Sequence, residues 1–131
     1  MTWSISSLLA VTVGGGAGCL VRYLVSMLLG WTLGTSFPFG TLTVNAAGCL
    51  MMGLAARSFV AGDPWRLAIM IGFLGGMTTF SSFALELFLL FEQGRWSIAV
   101  SYGVVTQVLC VALLVLGWHL APLLQGKIPL N

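Results

Sequence analysis

Four long apolar runs constrain the fold of this chain more strongly than any other feature of its sequence. The hydrocarbon core of a bilayer is about 30 Å thick, so an α-helix needs roughly 20 apolar residues to cross it. Runs of that length occupy approximately residues 4–33, 40–61, 65–91 and 96–120. Short connectors that contain Gly, Pro, Asp or Arg separate the runs, which is typical of turns between helices. The sequence therefore predicts a single all-α domain, residues 1–131, with four transmembrane helices.

The scarcity of charged side chains supports this prediction. Five residues are Lys or Arg and three are Asp or Glu, while 59% of the chain is hydrophobic and the mean hydropathy is +1.06. A water-soluble domain has about a quarter of its residues charged, so lipid is expected to be the solvent here. The net charge of +2 and the lack of a basic cluster exclude nucleic acid as a partner. The three cysteines lack the paired spacing of a zinc or disulfide site and are expected to be buried, reduced thiols.

Basic residues at the ends of the spans, which set membrane orientation, are nearly balanced. Four spans place both termini and the second connector on one side, which then holds Arg57, Arg66 and Lys127. The opposite side holds Arg95, with Arg22 as a possible addition. Because orientation follows the excess of Lys and Arg, this sequence is compatible with insertion in both orientations.

The first span combines small residues with a cation. Gly14, Gly18 and Arg22 recur every four residues and share one stripe of the helix. The glycines are expected to let a neighbouring helix pack closely. Two interpretations of Arg22 stay open: an anchor that reaches the membrane interface, or an attractor for anions in a vestibule.

The second span carries an amide at membrane depth. Thr41 and Asn45 lie four residues apart on one face, with Gly48 close to it. A polar group in this position either bonds a neighbouring helix or faces a hydrated path. For Asn45 the hydrated path is the interpretation we favour, because the third span contains a matching irregularity.

That irregularity is a run of glycines and hydroxyl residues between Gly72 and Phe83. Each glycine lowers helix propensity by about 1 kcal/mol, and hydroxyls can satisfy the backbone groups that an interruption releases. The sequence therefore predicts a break in the third helix. Irregular backbone inside a membrane is tolerated where it is buried or lines a cavity, and its carbonyls can then ligate a cation. Those of Gly75 and Thr78 are candidate ligands for Na⁺.

Two phenylalanines follow the predicted break. Phe80 and Phe83 are three residues apart and project from one face once the helix resumes. A phenyl ring is positive around its edge, so two rings presented edge-on can line a slot that suits a small anion. The alternative interpretation is that they are ordinary core or lipid-facing side chains.

Hydroxyl groups form a stripe on the fourth span. Tyr102, Thr106 and Cys110 lie four residues apart on one face, and this stripe is either a polar track or a set of interhelical hydrogen bonds. Glu86 is the only carboxylate well inside a span. Bonded to nearby hydroxyls, it is either neutral or paired with Arg22.

In combination, these motifs resemble the Fluc (CrcB-type) fluoride channels. The resemblance rests on Gly14 to Tyr23, on Gly40 to Asn45 followed by Gly48, and on Gly72 to Phe83. It implies an antiparallel, dual-topology homodimer with two narrow fluoride pores along the subunit interface. It also implies passive fluoride export across the inner membrane of a prokaryotic cell.

The resemblance further implies roles for the polar residues. It places the pore at Phe80 and Phe83, the second-helix asparagine at Asn45, and a central structural Na⁺ on the carbonyls of Gly75 and Thr78. Because fluoride is small and tightly hydrated, its path must replace water with hydrogen-bond donors. The candidate fluoride-binding residues are Thr41, Asn45, Phe80, Ser81, Ser82, Phe83, Tyr102 and Thr106. Beyond Thr106 the track continues with Cys110 and Leu114 and is less polar.

Three other classes of protein have this size and hydropathy. An intramembrane enzyme would need two carboxylates, or a Ser with a His, at membrane depth, but Glu86 has no carboxylate partner and His119 lies at the end of the last span. A proton-coupled small multidrug exporter is the principal alternative, yet its first helix carries an essential carboxylate and this first helix has none. The third class is a structural membrane subunit without transport of its own.

Overall fold

The computed structural model describes residues 4–60 and 63–124, and it contains four helical crossings. Helix α1 spans Ile5–Leu33, α2 spans Phe39–Ser58 and the last helix, α5, spans Trp96–Leu124. The third crossing consists of α3, residues 64–77, and α4, Phe80–Glu92. All four are long and apolar enough to cross a membrane, so the all-α membrane architecture is confirmed. The sequence predicted that the second span continues to residue 61, whereas α2 ends at Ser58. Residue 61 and Lys127 lie outside the described residues.

Local capping explains where the helices begin and end. The Ser4 hydroxyl accepts a hydrogen bond from the Ser7 amide at 3.2 Å and caps α1. Helix α1 ends at Gly34, whose φ of 79° suits glycine. The Asp63 carboxylate accepts from the Trp65 amide at 2.9 Å, and Pro64 occupies the first turn of α3. The Asp63-Pro64 pair therefore starts this helix.

Glycines set the distances between helices. A Cβ added at Gly18 would overlap the Phe73 carbonyl oxygen, and one added at Gly14 would overlap that of Ala68. Similarly, Gly53 of α2 lies against the Leu114 carbonyl of α5. Helix α1 therefore packs on α3, and α2 packs on α5, at distances that exclude a methyl group, as small residues allow in membranes.

Helices α2 and α5 run parallel and stay in phase over four turns. Thr41 and Tyr102 bind the same carboxylate, Asn45 and Thr106 line one cavity, and Gly53 contacts Leu114. Together with Cys49 and Cys110, these residues form four pairs, each separated by 61 positions in the sequence. The four pairs, 41/102, 45/106, 49/110 and 53/114, are called the α2–α5 ladder below.

The third crossing is interrupted at Thr78 and Thr79, both of which are extended, with φ/ψ of −81°/152° and −151°/120°. The predicted break is therefore present, but it does not begin at the glycines. Gly75 is helical, with φ/ψ of −64°/−36°, and Gly76 contacts the backbone of Gly15 in α1. Gly76 thus serves helix packing, and the chain leaves the helix only after Met77.

One irregularity of α3 is absent from the sequence prediction. The segment Leu67–Leu74 has the wider hydrogen-bonding pattern of a π-helix, between the short α-helical segments Pro64–Arg66 and Gly75–Met77. Such segments are rare and often occur near functional sites. Here the short α-helical segment Gly75–Met77 separates the π-helix from the break.

Candidate functional site

The side chain of Asn45 holds the extended backbone of the break. Its Nδ2 donates to the Thr79 carbonyl at 3.0 Å, and its Oδ1 accepts from the Thr79 amide at 2.8 Å. Asn45 is 8% exposed, so these bonds form away from lipid. The carboxamide therefore replaces the backbone partner that the Thr79 amide would have in a continuous helix, and it adds a second donor to the Thr79 carbonyl, which as the N-cap already accepts the first bond of α4.

This pairing releases the two carbonyls that the sequence suggested as cation ligands. In a continuous α-helix the amide of residue i donates to the carbonyl of residue i−4. The Thr79 amide would then bond to Gly75, and the Ser82 amide to Thr78. Instead, the Thr79 amide donates to Asn45 and the Ser82 amide donates to Thr79 Oγ1 at 3.2 Å. The carbonyls of Gly75 and Thr78 thus lose their helical donors.

Thr79 also caps the helix that follows the break. Its hydroxyl accepts from the Ser82 amide and donates to the Ser82 hydroxyl at 3.1 Å. The sequence analysis did not single out Thr79. Its position three residues before Ser82, at the start of an apolar helix, is the signal that would have identified it as an N-cap.

Glu86 joins α2, α4 and α5. Its Oε1 accepts from Thr41 Oγ1 at 2.6 Å, and its Oε2 accepts from the Tyr102 hydroxyl at 2.7 Å. Tyr102 is fully buried. The bonds of Glu86 to nearby hydroxyls that the sequence suggested are therefore present. Because Thr41 and Tyr102 donate their protons to the carboxylate, these two hydroxyls are not free donors for another anion in this arrangement.

Arg22 lies in a different cavity from the one that Asn45 lines. It borders a space of about 350 Å³ together with Thr79, Ser82 and Glu86. Its Nη2 donates to the Cys19 sulfur at 3.2 Å, and its buried Nε has no hydrogen-bond partner within residues 4–60 and 63–124. A cation therefore faces the polar side chains at the start of α4.

Asn45, Phe80, Phe83 and Thr106 line a second cavity, of about 270 Å³, beside the break. The ring centroids of Phe80 and Phe83 are 5.5 Å apart. Phe83 is 5% exposed, whereas Phe80 is 71% exposed, so the pair extends from the interior to the outer surface of the chain. This space is called the Phe80–Thr106 cavity below.

Thr106 is the unsatisfied polar group of this cavity. The residue is 4% exposed, and within the described part of the chain its hydroxyl has no hydrogen-bond partner. A buried hydroxyl without a partner costs free energy, so a ligand or water in the cavity would stabilise it. Among the described lining residues, none is Asp or Glu.

The structure brings together most, but not all, of the residues predicted from the sequence. Four of them share the Phe80–Thr106 cavity, and Thr41 and Tyr102 bind Glu86. Ser82 faces the Arg22 cavity, while Ser81 is exposed, and Gly75 lies on the outer surface. The predicted site is thus divided between two cavities on either side of Thr79.

Comparison with known proteins identifies the family. Residues 9–118 match the family described as "CrcB-like protein, Camphor Resistance (CrcB)". The chain belongs to the CrcB family. This confirms the resemblance drawn from the sequence, and the matched region of the CrcB family includes all four helical crossings.

Several CrcB relatives are similar over most of their length. "Fluoride-specific ion channel FluC 2" of Nitrobacter hamburgensis is 46% identical over 107 residues, which are 79% of this chain and 86% of the relative. "Fluoride-specific ion channel FluC" of Granulibacter bethesdensis is 44% identical over 119 residues, 87% of this chain and 93% of the relative. The protein of the same name in Citrifermentans bemidjiense is 42% identical, with 82% and 90% covered.

These relatives also bear on two broader predictions. The CrcB relatives are named as ion channels, which confirms that the chain is not an enzyme. Their bacterial origin and the four helical crossings confirm a multi-pass membrane protein of a prokaryote.

Proposed function

We propose that this protein is a fluoride-selective channel that exports fluoride passively across the inner membrane. The names of its relatives support the choice of ion. The single observation that carries the proposal is the Thr106 hydroxyl, buried and without a partner beside Asn45 and Phe83. Its physiological role would be relief from fluoride that enters the cell as the neutral acid.

The chemistry of the Phe80–Thr106 cavity suits a small, strongly hydrated anion. Thr106 has a free hydroxyl proton, and Asn45 has a second amide proton beyond the one it donates to Thr79. The positive ring edges of Phe80 and Phe83 supply additional electrostatic attraction. An acidic side chain would repel the ion, and the described lining contains none. Arg22 would attract anions to the neighbouring cavity, in the role of a vestibule.

A second copy of the chain, inserted antiparallel, would complete the path. The exposed ring of Phe80 places half of the aromatic pair on the outer surface. Coverage by a second copy would enclose this ring, and the balanced distribution of Lys and Arg supports insertion in both orientations. Each chain contributes one Phe80–Thr106 cavity, so a two-fold dimer would contain two pores. A proton-coupled multidrug exporter has less support, because α1 contains no carboxylate.

A structural Na⁺ at the centre of this dimer is part of the proposal. The carbonyls of Gly75 and Thr78 are the ligands we infer, because Asn45 and the Thr79 cap take their helical donors. Oxygen atoms of this kind ligate Na⁺ in broken transmembrane helices. Replacing Na⁺ by a large organic cation is expected to lower the thermal stability of the purified dimer and to slow fluoride efflux. Unchanged stability and efflux after strict Na⁺ removal would contradict the sodium site.

Ion efflux from liposomes tests the proposed function. Protein is reconstituted into vesicles loaded with potassium fluoride or potassium chloride, and efflux is started with a potassium ionophore. We expect fast fluoride loss and negligible chloride loss. Phe83→Ile and Phe80→Ile are expected to slow fluoride efflux about tenfold, because an aromatic edge contributes about 0.5–1.5 kcal/mol.

The exposed Phe88 of α4, which does not line the Phe80–Thr106 cavity, offers a matched control. Phe88→Ile is expected to leave fluoride efflux unchanged. Absence of flux of either ion would contradict the channel. Normal efflux in both Phe80→Ile and Phe83→Ile would remove the aromatic edges from the mechanism.

A further inference from the structure

The third pair of the α2–α5 ladder, 49/110, consists of two thiol side chains. Cys49 of α2 and Cys110 of α5 are both free thiols and form one pair of the ladder. Both are half-buried, one helical turn beyond Asn45 and Thr106, and both line the Phe80–Thr106 cavity. The sequence analysis expected buried, reduced thiols without the paired spacing of a metal site, whereas Cys19 is exposed and the other two border one cavity.

A third sulfur atom lies in the same cavity. Met52 is three residues after Cys49, so the two side chains share a face of α2. Met52 also lines the Phe80–Thr106 cavity. Two thiols and a thioether therefore border one space of about 270 Å³. Sulfur ligands of these two kinds select soft cations, and the preference is strongest for Cu(I) among the metals of the cell.

We propose that Cys49 and Cys110, assisted by Met52, form a binding site for a soft monovalent cation with Cu(I)- or Ag(I)-type chemistry. As the two S–metal bonds form, each thiol loses its proton to the buffer, because the thiolate is the form of cysteine that ligates a metal. The bound M⁺ offsets one of the two negative charges, so the complex carries a single negative charge at membrane depth.

The position of the site predicts an effect on transport, and this part rests on the proposed function. A cation bound at the 49/110 level would lie one helical turn, about 5.4 Å, beyond Asn45 and Thr106 along the same helices. It would occupy part of the cavity that we assign to fluoride. Bound Ag⁺ is therefore expected to block fluoride efflux.

Binding stoichiometry tests the site without any measurement of transport. The parent variant is Cys19→Ser, because Cys19 is an exposed third thiol on α1. The purified variant is dialysed against silver nitrate in buffer free of chloride and thiols, and bound silver is measured by mass spectrometry. We expect one Ag⁺ per chain. Adding Cys49→Ser or Cys110→Ser is expected to abolish this binding, and adding Met52→Leu to weaken it about tenfold.

Two results would overturn the site. One is binding of two Ag⁺ ions by the parent, or of one Ag⁺ by each single-thiol variant, because the thiols would then act independently. The other is the absence of binding by the parent. If a serine variant does not fold, the parent alone suffices: one equivalent of Ag⁺ should protect both thiols from a small methanethiosulfonate reagent. Protection of only one thiol would contradict the shared site.

A measurement of fluoride efflux then tests whether the metal site lies on the transport path. Ag⁺ is expected to reduce fluoride efflux of the Cys19→Ser parent at least about tenfold, and a dithiol chelator should restore it. In a Cys49→Ser/Cys110→Ser variant on the same background, fluoride efflux with Ag⁺ should equal efflux without Ag⁺, whatever the rate of this variant without the metal. Stoichiometric binding without block would uphold the metal site and contradict the assignment of this cavity to fluoride.

Discussion

Replacement of Asn45 by Leu is expected to abolish fluoride efflux and to destabilise the protein. Leucine has a similar volume but no polar atoms, so the Thr79 amide loses its partner and the Thr79 carbonyl loses its second donor. A buried backbone amide left unpaired costs about 1–3 kcal/mol. Since 1.4 kcal/mol is a factor of ten, this loss corresponds to a population shift of roughly tenfold or more away from the broken helix.

The structural effect expected of Asn45→Leu follows from the geometry of the break. A continuous helix through Thr79 would satisfy the freed amide by donation to Gly75, which would remove one of the inferred Na⁺ ligands. It would also rotate Phe80 and Phe83 relative to α2. Stability and transport are therefore expected to fall together, as measured by thermal unfolding in detergent and by efflux from liposomes.

Two variants of the same helix sharpen this experiment. Asn45→Asp keeps an acceptor for the Thr79 amide but removes the donor to its carbonyl, so its stability is expected to lie between wild type and Asn45→Leu. Thr43 is exposed on α2, and Thr43→Val should behave as wild type. Wild-type efflux in Asn45→Leu would show that the carboxamide does not hold the break.

The second large effect is expected from a single added methyl group. Gly18→Ala places a Cβ against the Phe73 carbonyl oxygen and at 2.9 Å from the Met77 amide nitrogen. Both neighbours belong to the backbone of α3 and have no rotamer to change, so α1 and α3 must separate. Overpacking typically costs about 1–3 kcal/mol, and the shift here extends to Met77, immediately before the break.

Gly16 provides the matched control on the same helix. An added Cβ at Gly16 meets nothing within 4 Å, so Gly16→Ala is expected to stabilise α1 by about 1 kcal/mol through helix propensity. The two variants should therefore move the unfolding temperature in opposite directions. Gel filtration would report loss of folded protein for Gly18→Ala. Equal unfolding temperatures for the two would mean that α1 does not pack on α3 through Gly18.

Hydropathy predicted the four crossings because a bilayer requires apolar length regardless of tertiary contacts. The position of the break was harder to predict from the sequence. Intrinsic propensity pointed to Gly75 and Gly76, yet packing of Gly76 against α1 keeps this pair helical, and the partner that compensates for the break is Asn45, 34 residues earlier than Thr79. The π-helical segment has no clear periodicity signal, and the sequence analysis did not anticipate it.

For the polar residues, too, the sequence indicated which residues matter but not which groups they bond. Their presence at membrane depth identified Asn45, Thr106 and Tyr102 as candidates, because such groups are costly in lipid. Which group each one bonds depends on how α2, α4 and α5 are rotated against each other. That is why the identity of the hydroxyls that bond Glu86, and the shared cavity of Cys49 and Cys110, became visible only in three dimensions.

Helices α2 and α5 keep the same residue separation in every pair of the ladder. This pair of helices is therefore sensitive to changes of length as well as to changes of side chain. Inserting or deleting one residue within either helix would turn everything beyond it by about 100°. Glycine would then meet a bulky neighbour, and the hydroxyl, amide and thiol pairs would all lose alignment at once. Variation in chain length can therefore accumulate in the turns at 34–38 and 93–95, while α2 and α5 must retain their residue count as a matched set.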